Sequence, residues 1–194
     1  FLSASIVTIP RYFLEKLYGS TVAGYYGSVA TPTVIIQSLC IMIYSPLTPL
    51  LARAYTENKK NDYIKVMSKA LVAMLILSIL FCIAAVLFGD WGLKLLFGTE
   101  ILPYTYLFTP IVLTTILMAL LYYFTMVLTI ARRTLTIVIA TGCAALAVTL
   151  LSNPLITAYS MSGVNYCLYI GLTVALLIMI IVCIIDTKNH FHVK

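Results

Sequence analysis

Ala70-Leu71-Val72-Ala73-Met74-Leu75-Ile76-Leu77-Ser78-Ile79-Leu80-Phe81-Cys82-Ile83-Ala84-Ala85-Val86-Leu87-Phe88-Gly89 carries no charge and a single hydroxyl. A helix crossing the hydrocarbon core of a bilayer needs about 20 predominantly apolar residues. In lipid the backbone must pair its own polar groups, which a helix does within one segment. Residues 17–52, 101–131 and 134–185 are likewise free of Asp, Glu, Lys and Arg. Only 9% of the 194 residues are charged, 62% are hydrophobic and the mean hydropathy is +1.08; a water-soluble domain carries about a quarter charged residues. The chain therefore reads as an all-α, polytopic transmembrane helix bundle over residues 1–194, with no soluble domain.

Turn-forming residues divide these runs. Residues 1–14 read as the last part of a helix that begins before Phe1, and Gly19-Ser20-Thr21-Val22-Ala23-Gly24 reads as a turn. A second span over about 25–51 contains Pro32, Pro46 and Pro49, each removing a backbone donor and crowding the preceding turn. This span is expected to bend near Pro32 or Pro46, beside a cavity. Residues 53–69, the one strongly polar segment, read as an interfacial helix leading into a third span over 70–88. Gly89-Asp90-Trp91-Gly92 and Gly98-Thr99-Glu100 bracket a short amphipathic piece, 93–97. The fourth span runs over about 104–130, Arg132-Arg133 is a tight turn, and the fifth runs from 134 to about 151, where Asn153-Pro154 is expected to break it. The sixth covers 163–185 and a tail follows.

The net charge of +6 does not point to nucleic acid, because the basic residues divide by membrane side. With the first piece exiting outward, Arg53, Lys59, Lys60, Lys65, Lys69, Arg132, Arg133, Lys188 and Lys194 lie inside, against Arg11, Lys16 and Lys94 outside. The acids divide evenly, so the asymmetry is of the positive-inside kind and places the C-terminus in the cytoplasm. Tyr18, Tyr25, Tyr26, Tyr104, Tyr106, Tyr159, Tyr166 and Tyr169 fall near the outer boundaries. They read either as an interfacial aromatic belt or as the lining of a sugar-binding cavity.

Catalytic chemistry is not legible. There is no phosphate-cradling glycine loop, no H-E-x-x-H and no paired acids in an exposed loop. General acid–base work needs positioned ionisable side chains, and the apolar runs hold none. Cys40, Cys82, Cys143, Cys167 and Cys183 sit singly in apolar runs and read as small buried hydrophobes. His190 and His192 are expected in a solvated tail, and neither a metal nor a cofactor is expected. Arg11 is the ionisable residue nearest a span. It reads either as a rim partner of Glu15 or as a cation facing an aqueous cavity and holding an anionic substrate. Gln37, central in the second span, makes either an interhelical hydrogen bond or a contact to a polar head group. Arg132 and Arg133 stand where they would attract a donor at the cytoplasmic lip.

Pro10-Arg11-Tyr12-Phe13-Leu14-Glu15-Lys16-Leu17-Tyr18-Gly19, followed by Val22-Ala23-Gly24-Tyr25-Tyr26-Gly27-Ser28, resembles bacterial polysaccharide flippases. These are the O-antigen and capsule repeat-unit translocases of the multidrug/oligosaccharidyl-lipid/polysaccharide exporter superfamily. Pro46-x-x-Pro49, the basic loop after it and the short segment from Phe88-Gly89 to Pro103 look similar too. The resemblance extends over essentially the whole chain, as the end of helix seven through helix twelve. It implies a second six-helix lobe, facing a missing N-terminal lobe across a central cavity with alternating access. It also implies a lipid-linked oligosaccharide as cargo, carried on a polyprenyl pyrophosphate across the bacterial inner membrane among membrane lipid. Arg11 is the one cavity cation the resemblance carries over. A drug/cation antiporter of the same superfamily would be expected to place acids within its spans. A membrane-embedded polymerase or ligase would need a large exterior loop, and a structural subunit would be a closed apolar bundle.

Overall fold

The computed structural model describes residues 2–192. Phe1 and Lys194, which the sequence reading used, lie outside the described residues, as does the side chain of His192. The chain is helical throughout, with no strand among the described residues: α1 (Leu2–Tyr18), α2 (Ser20–Ala30), α3 (Thr33–Tyr44), α4 (Thr48–Thr56), α5 (Lys60–Phe97), α6 (Phe108–Ile130), α7 (Thr134–Tyr159) and α8 (Met161–His192). Short 3-10 segments, Ser45–Leu47 and Thr99–Leu107, precede α4 and α6. Five stretches, Thr33–Thr56, Lys60–Phe97, Thr99–Ile130, Thr134–Tyr159 and Met161–Phe191, are long and apolar enough to cross a membrane. Val72, Ile76, Ile79, Leu80, Ile83, Val86 and Leu87 stand exposed along α5. An apolar face of that extent is untenable in water and suits lipid. This is a membrane protein.

The breaks differ from those expected. Gly19 alone turns the chain, at φ 88°, and α2 starts at the next residue, so the expected turn over Gly19–Gly24 shrinks to one left-handed glycine. The second span divides at Thr31-Pro32 and again in the 3-10 segment at Pro46, as its prolines suggested. Gly89 and Gly92 do not break α5, which is one 38-residue helix. At 1.5 Å per residue it is about 57 Å long, well beyond a hydrocarbon core of about 30 Å. Gly89 is a contact residue instead, for a Cβ there would meet the Phe108 ring at 2.8 Å. Pro154 does not end α7, which continues to Ser160 at φ 51°. The tail is not a tail either: α8 runs unbroken to His192.

Packing centres on α6, whose Ile111, Val112, Ala119, Leu121, Tyr123 and Leu128 are buried. α7 and α8 approach closely at Gly171, where a Cβ would meet the Val148 side chain and the Ala144 carbonyl, the way membrane helices pack through small residues without a hydrophobic drive between them. A Cβ on Gly163 would run into the Leu155 carbonyl of α7. The cysteines are free, with Cys40, Cys167 and Cys183 buried and Cys143 exposed. Hydroxyls along the helices mostly donate to their own helix, as Ser78 does to Met74 O at 2.7 Å, Thr149 to Ala145 O at 2.7 Å and Thr157 to Asn153 O at 2.8 Å.

Two ends follow from the contacts. At one, Tyr18 donates to Ile156 O, Tyr25 stacks on Tyr104 and Tyr159 meets Tyr166 edge-on. At the other, α4, α8 and the Arg132-Arg133 turn converge.

Candidate functional site

Arg11 and Gln37, 26 positions apart in sequence, line one cavity of about 110 Å³ between α1, α2, α3, α6 and α8. The Thr31-Pro32 break makes it possible. Ala30 and Thr33, on either side of the break, face this polar cavity, whereas Pro32, Ile35 and Ile36 face an apolar groove of about 230 Å³ against α5. Arg11 lies about 12 Å along α1 from Gly19 and is exposed at the mouth of this cavity. It makes no ion pair with Glu15 among the described residues; its guanidinium instead lies over the Tyr26 ring, 5.6 Å from the centroid. A cation over an aromatic face gains electrostatic support from the ring. Gln37 is half-buried and makes no hydrogen bond among the described residues, so the interhelical bond expected as one alternative is not formed. Thr114 and Thr115, also in the wall, both donate to Ile111 O, at 2.8 and 2.9 Å. Their protons are thus engaged within α6. No Asp or Glu lines it.

Two buried polar groups, Asn165 and Asp186, were not singled out from the sequence. Tyr26, 1% exposed, donates its hydroxyl to Asn165 Oδ1 at 2.7 Å, and Asn165 Nδ2 has no partner among the described residues. Asn165 was lost within a span counted only for the absence of charge. Of the eight tyrosines placed near one boundary, Tyr26 is a cavity-wall residue, Tyr169 donates to Pro110 O at 2.8 Å, and Tyr106 and Tyr159 stand exposed as belt residues do.

Asp186, assigned to the tail, is 5% exposed. It accepts Arg133 Nε at 2.7 Å and the Tyr55 hydroxyl at 3.0 Å. His190 stacks on Tyr55 at 3.9 Å with Nε2 3.2 Å from Tyr55 O, and Phe191 packs edge-on against Tyr55. This corrects the solvated tail: α8 brings aromatic rings to a surface that α4 and α5 leave uncovered. Arg133 is thus committed to Asp186, whereas Arg132, held at φ 56° in the turn, makes no ion pair among the described residues. Both line a polar depression of about 480 Å³ with Asn189 and His190. Nearby, Lys59 and Arg53 grip Glu57 at 2.6 Å each and hold its carboxyl down at about 2.

The depression lies at the end opposite the Tyr18–Tyr25 cluster, so Arg11 with Gln37 and Arg132 with Arg133 form separate sites. No family model matches this chain, and no curated protein or solved structure does.

Proposed function

We propose that the protein translocates a polyprenyl-pyrophosphate-linked oligosaccharide across the bacterial inner membrane, for cell-surface polysaccharide biosynthesis, and that this chain supplies the C-terminal lobe. One observation carries the reading: Arg11 and Gln37, far apart in sequence, meet in one cavity with no carboxylate in its wall. A guanidinium there suits an anionic head group, which it grips through parallel N–H donors. Gln37 offers both a donor and an acceptor to the same guest. A cation antiporter would need an acid where this cavity has none.

In this reading the Arg53, Lys59, Lys60, Arg132 and Arg133 end is cytoplasmic, as the C-terminus is, following the excess of basic residues there. Arg132 draws the anionic donor to the cytoplasmic lip, and Arg133 keeps that lip closed through Asp186. Arg11 receives the head group in the other half of the bundle.

The test is polymer export by the full-length protein in cells lacking their own translocase. Losing one charge-assisted contact costs about 1.5–3 kcal/mol, so Arg11→Ala is expected to lower transport about tenfold or more at equal membrane levels. Arg11→Lys falls between, keeping charge without the planar fork. Undiminished export by Arg11→Ala overturns the reading.

A further inference from the structure

Asn165 is 1% exposed, yet its Nδ2 has no acceptor among the described residues. Buried side-chain donors nearly always have partners, and an exception calls for a physical account. The residue sits one turn from Leu168 on the face of α8 that continues to Leu172, and both leucines line the Arg11–Gln37 cavity. Its one bonded partner, Tyr26, belongs to that cavity's wall. The Tyr26 ring is therefore held twice: Arg11 lies over its face, and Asn165 accepts its hydroxyl. These contacts join α1, α2 and α8 through one aromatic ring.

An anion entering the cavity competes with that ring for Arg11. Its phosphate oxygens offer the guanidinium full charge and paired acceptors, against the weaker field of a ring face. Once Arg11 turns to the anion, Tyr26 keeps only its hydroxyl bond.

We propose that Asn165 is a second ligand contact held in reserve: when a phosphate-bearing head group draws Arg11 off Tyr26, the ring shifts and Asn165 Nδ2 donates to a phosphate oxygen next to the one Arg11 holds. This rests on the reading of the cavity as a head-group site. The ligand class is a pyrophosphate-headed lipid, and the contact links α8 to occupancy of a site otherwise read from α1 and α3.

The test measures farnesyl pyrophosphate binding to the full-length protein in nanodiscs, with thermal unfolding alongside. Tyr26→Phe/Asn165→Leu removes both polar partners and leaves an aromatic ring under Arg11. Replacing both partners of a buried bond by apolar groups is near neutral for stability, so its unfolding temperature is expected to hold or rise. Its affinity is expected to fall about tenfold, the size of one hydrogen bond to a charged group. Tyr26→Phe alone frees the Asn165 amide and is expected to bind more tightly. Asn165→Asp still accepts the Tyr26 hydroxyl but turns a carboxylate toward the anion, and is expected to bind worst. Unchanged affinity in the double variant overturns the contact. So does a Tyr26→Phe loss equal to that of the double variant, since the hydroxyl would then be the ligand group. Unchanged affinity in Arg11→Ala overturns the head-group reading itself; a loss there beside an unchanged double variant leaves that reading standing and removes Asn165 alone.

Discussion

Removing the Asp186 carboxylate tests whether the polar clasp at one end of the bundle holds three helices together. Asp186 accepts two bonds, from Tyr55 Oη at 3.0 Å and from Arg133 Nε at 2.7 Å, with its side chain 6% exposed. A hydrogen bond to a charged group nets about 1.5–3 kcal/mol, and the partly covered Tyr55 bond stands near that range. The Arg133 side chain is 55% exposed, so solvent screening brings its share to about 0.5–1 kcal/mol. Deleting the carboxylate also removes its own desolvation cost, which leaves a net loss of about 2 kcal/mol for Asp186→Ala. For a protein of this size that is about 4–8 °C in unfolding temperature. Double-mutant cycles separate the parts. Tyr55→Phe with Asp186→Ala should couple more strongly than Arg133→Ala with Asp186→Ala, although Arg133 carries the formal charge. Unfolding in nanodiscs read by tryptophan-independent scanning calorimetry supplies the values. A larger coupling for Arg133 would refute the exposure argument and make the clasp an ion pair in the ordinary sense.

Gly163→Ala should lower the unfolding temperature by several degrees, because its Cβ would collide with the Leu155 carbonyl and overpacking costs about 1–3 kcal/mol; Gly142→Ala, into open space, is the control and should be neutral or stabilising. Cysteines at Lys60 and Lys94 should react with impermeant reagent from opposite faces of sealed cells, Lys60→Cys from the cytoplasmic face alone. Labelling of Lys60→Cys from outside inverts the proposed orientation.

Absence of charge was enough to find the spans, because a bilayer penalises ions near its centre and tolerates them toward the helix ends, as in α5. Punctuation was harder to read. Pro32, Pro46 and Gly19 interrupt the chain as their backbone chemistry suggests, while Gly89 and Pro154 do not. Gly89 answers to Phe108, a residue brought alongside only by the fold. Leaving a helix in lipid exposes backbone groups that nothing satisfies, so a weak breaker loses there. Arg11 and Gln37 were separately conspicuous as polar groups in apolar surroundings, and the fold placed them together. Asn165 and Asp186 were not legible, since their meaning lies in Tyr26 and in Tyr55 with Arg133, all distant in sequence. A count of charges also cannot show that the last residues of a helix are covered by rings from another element.

The self-directed hydroxyls of Ser78, Thr149 and Thr157 change what the insertion machinery meets. A hydroxyl whose proton already serves a carbonyl one turn back presents lipid chiefly with its methyl or methylene surface. Each such residue enters the bilayer as little more than a small aliphatic group. Partitioning of α5 and α7 into a bilayer therefore follows their hydrocarbon content more closely than their polar residue count, and these hydroxyls need no partner helix to receive a hydrogen bond.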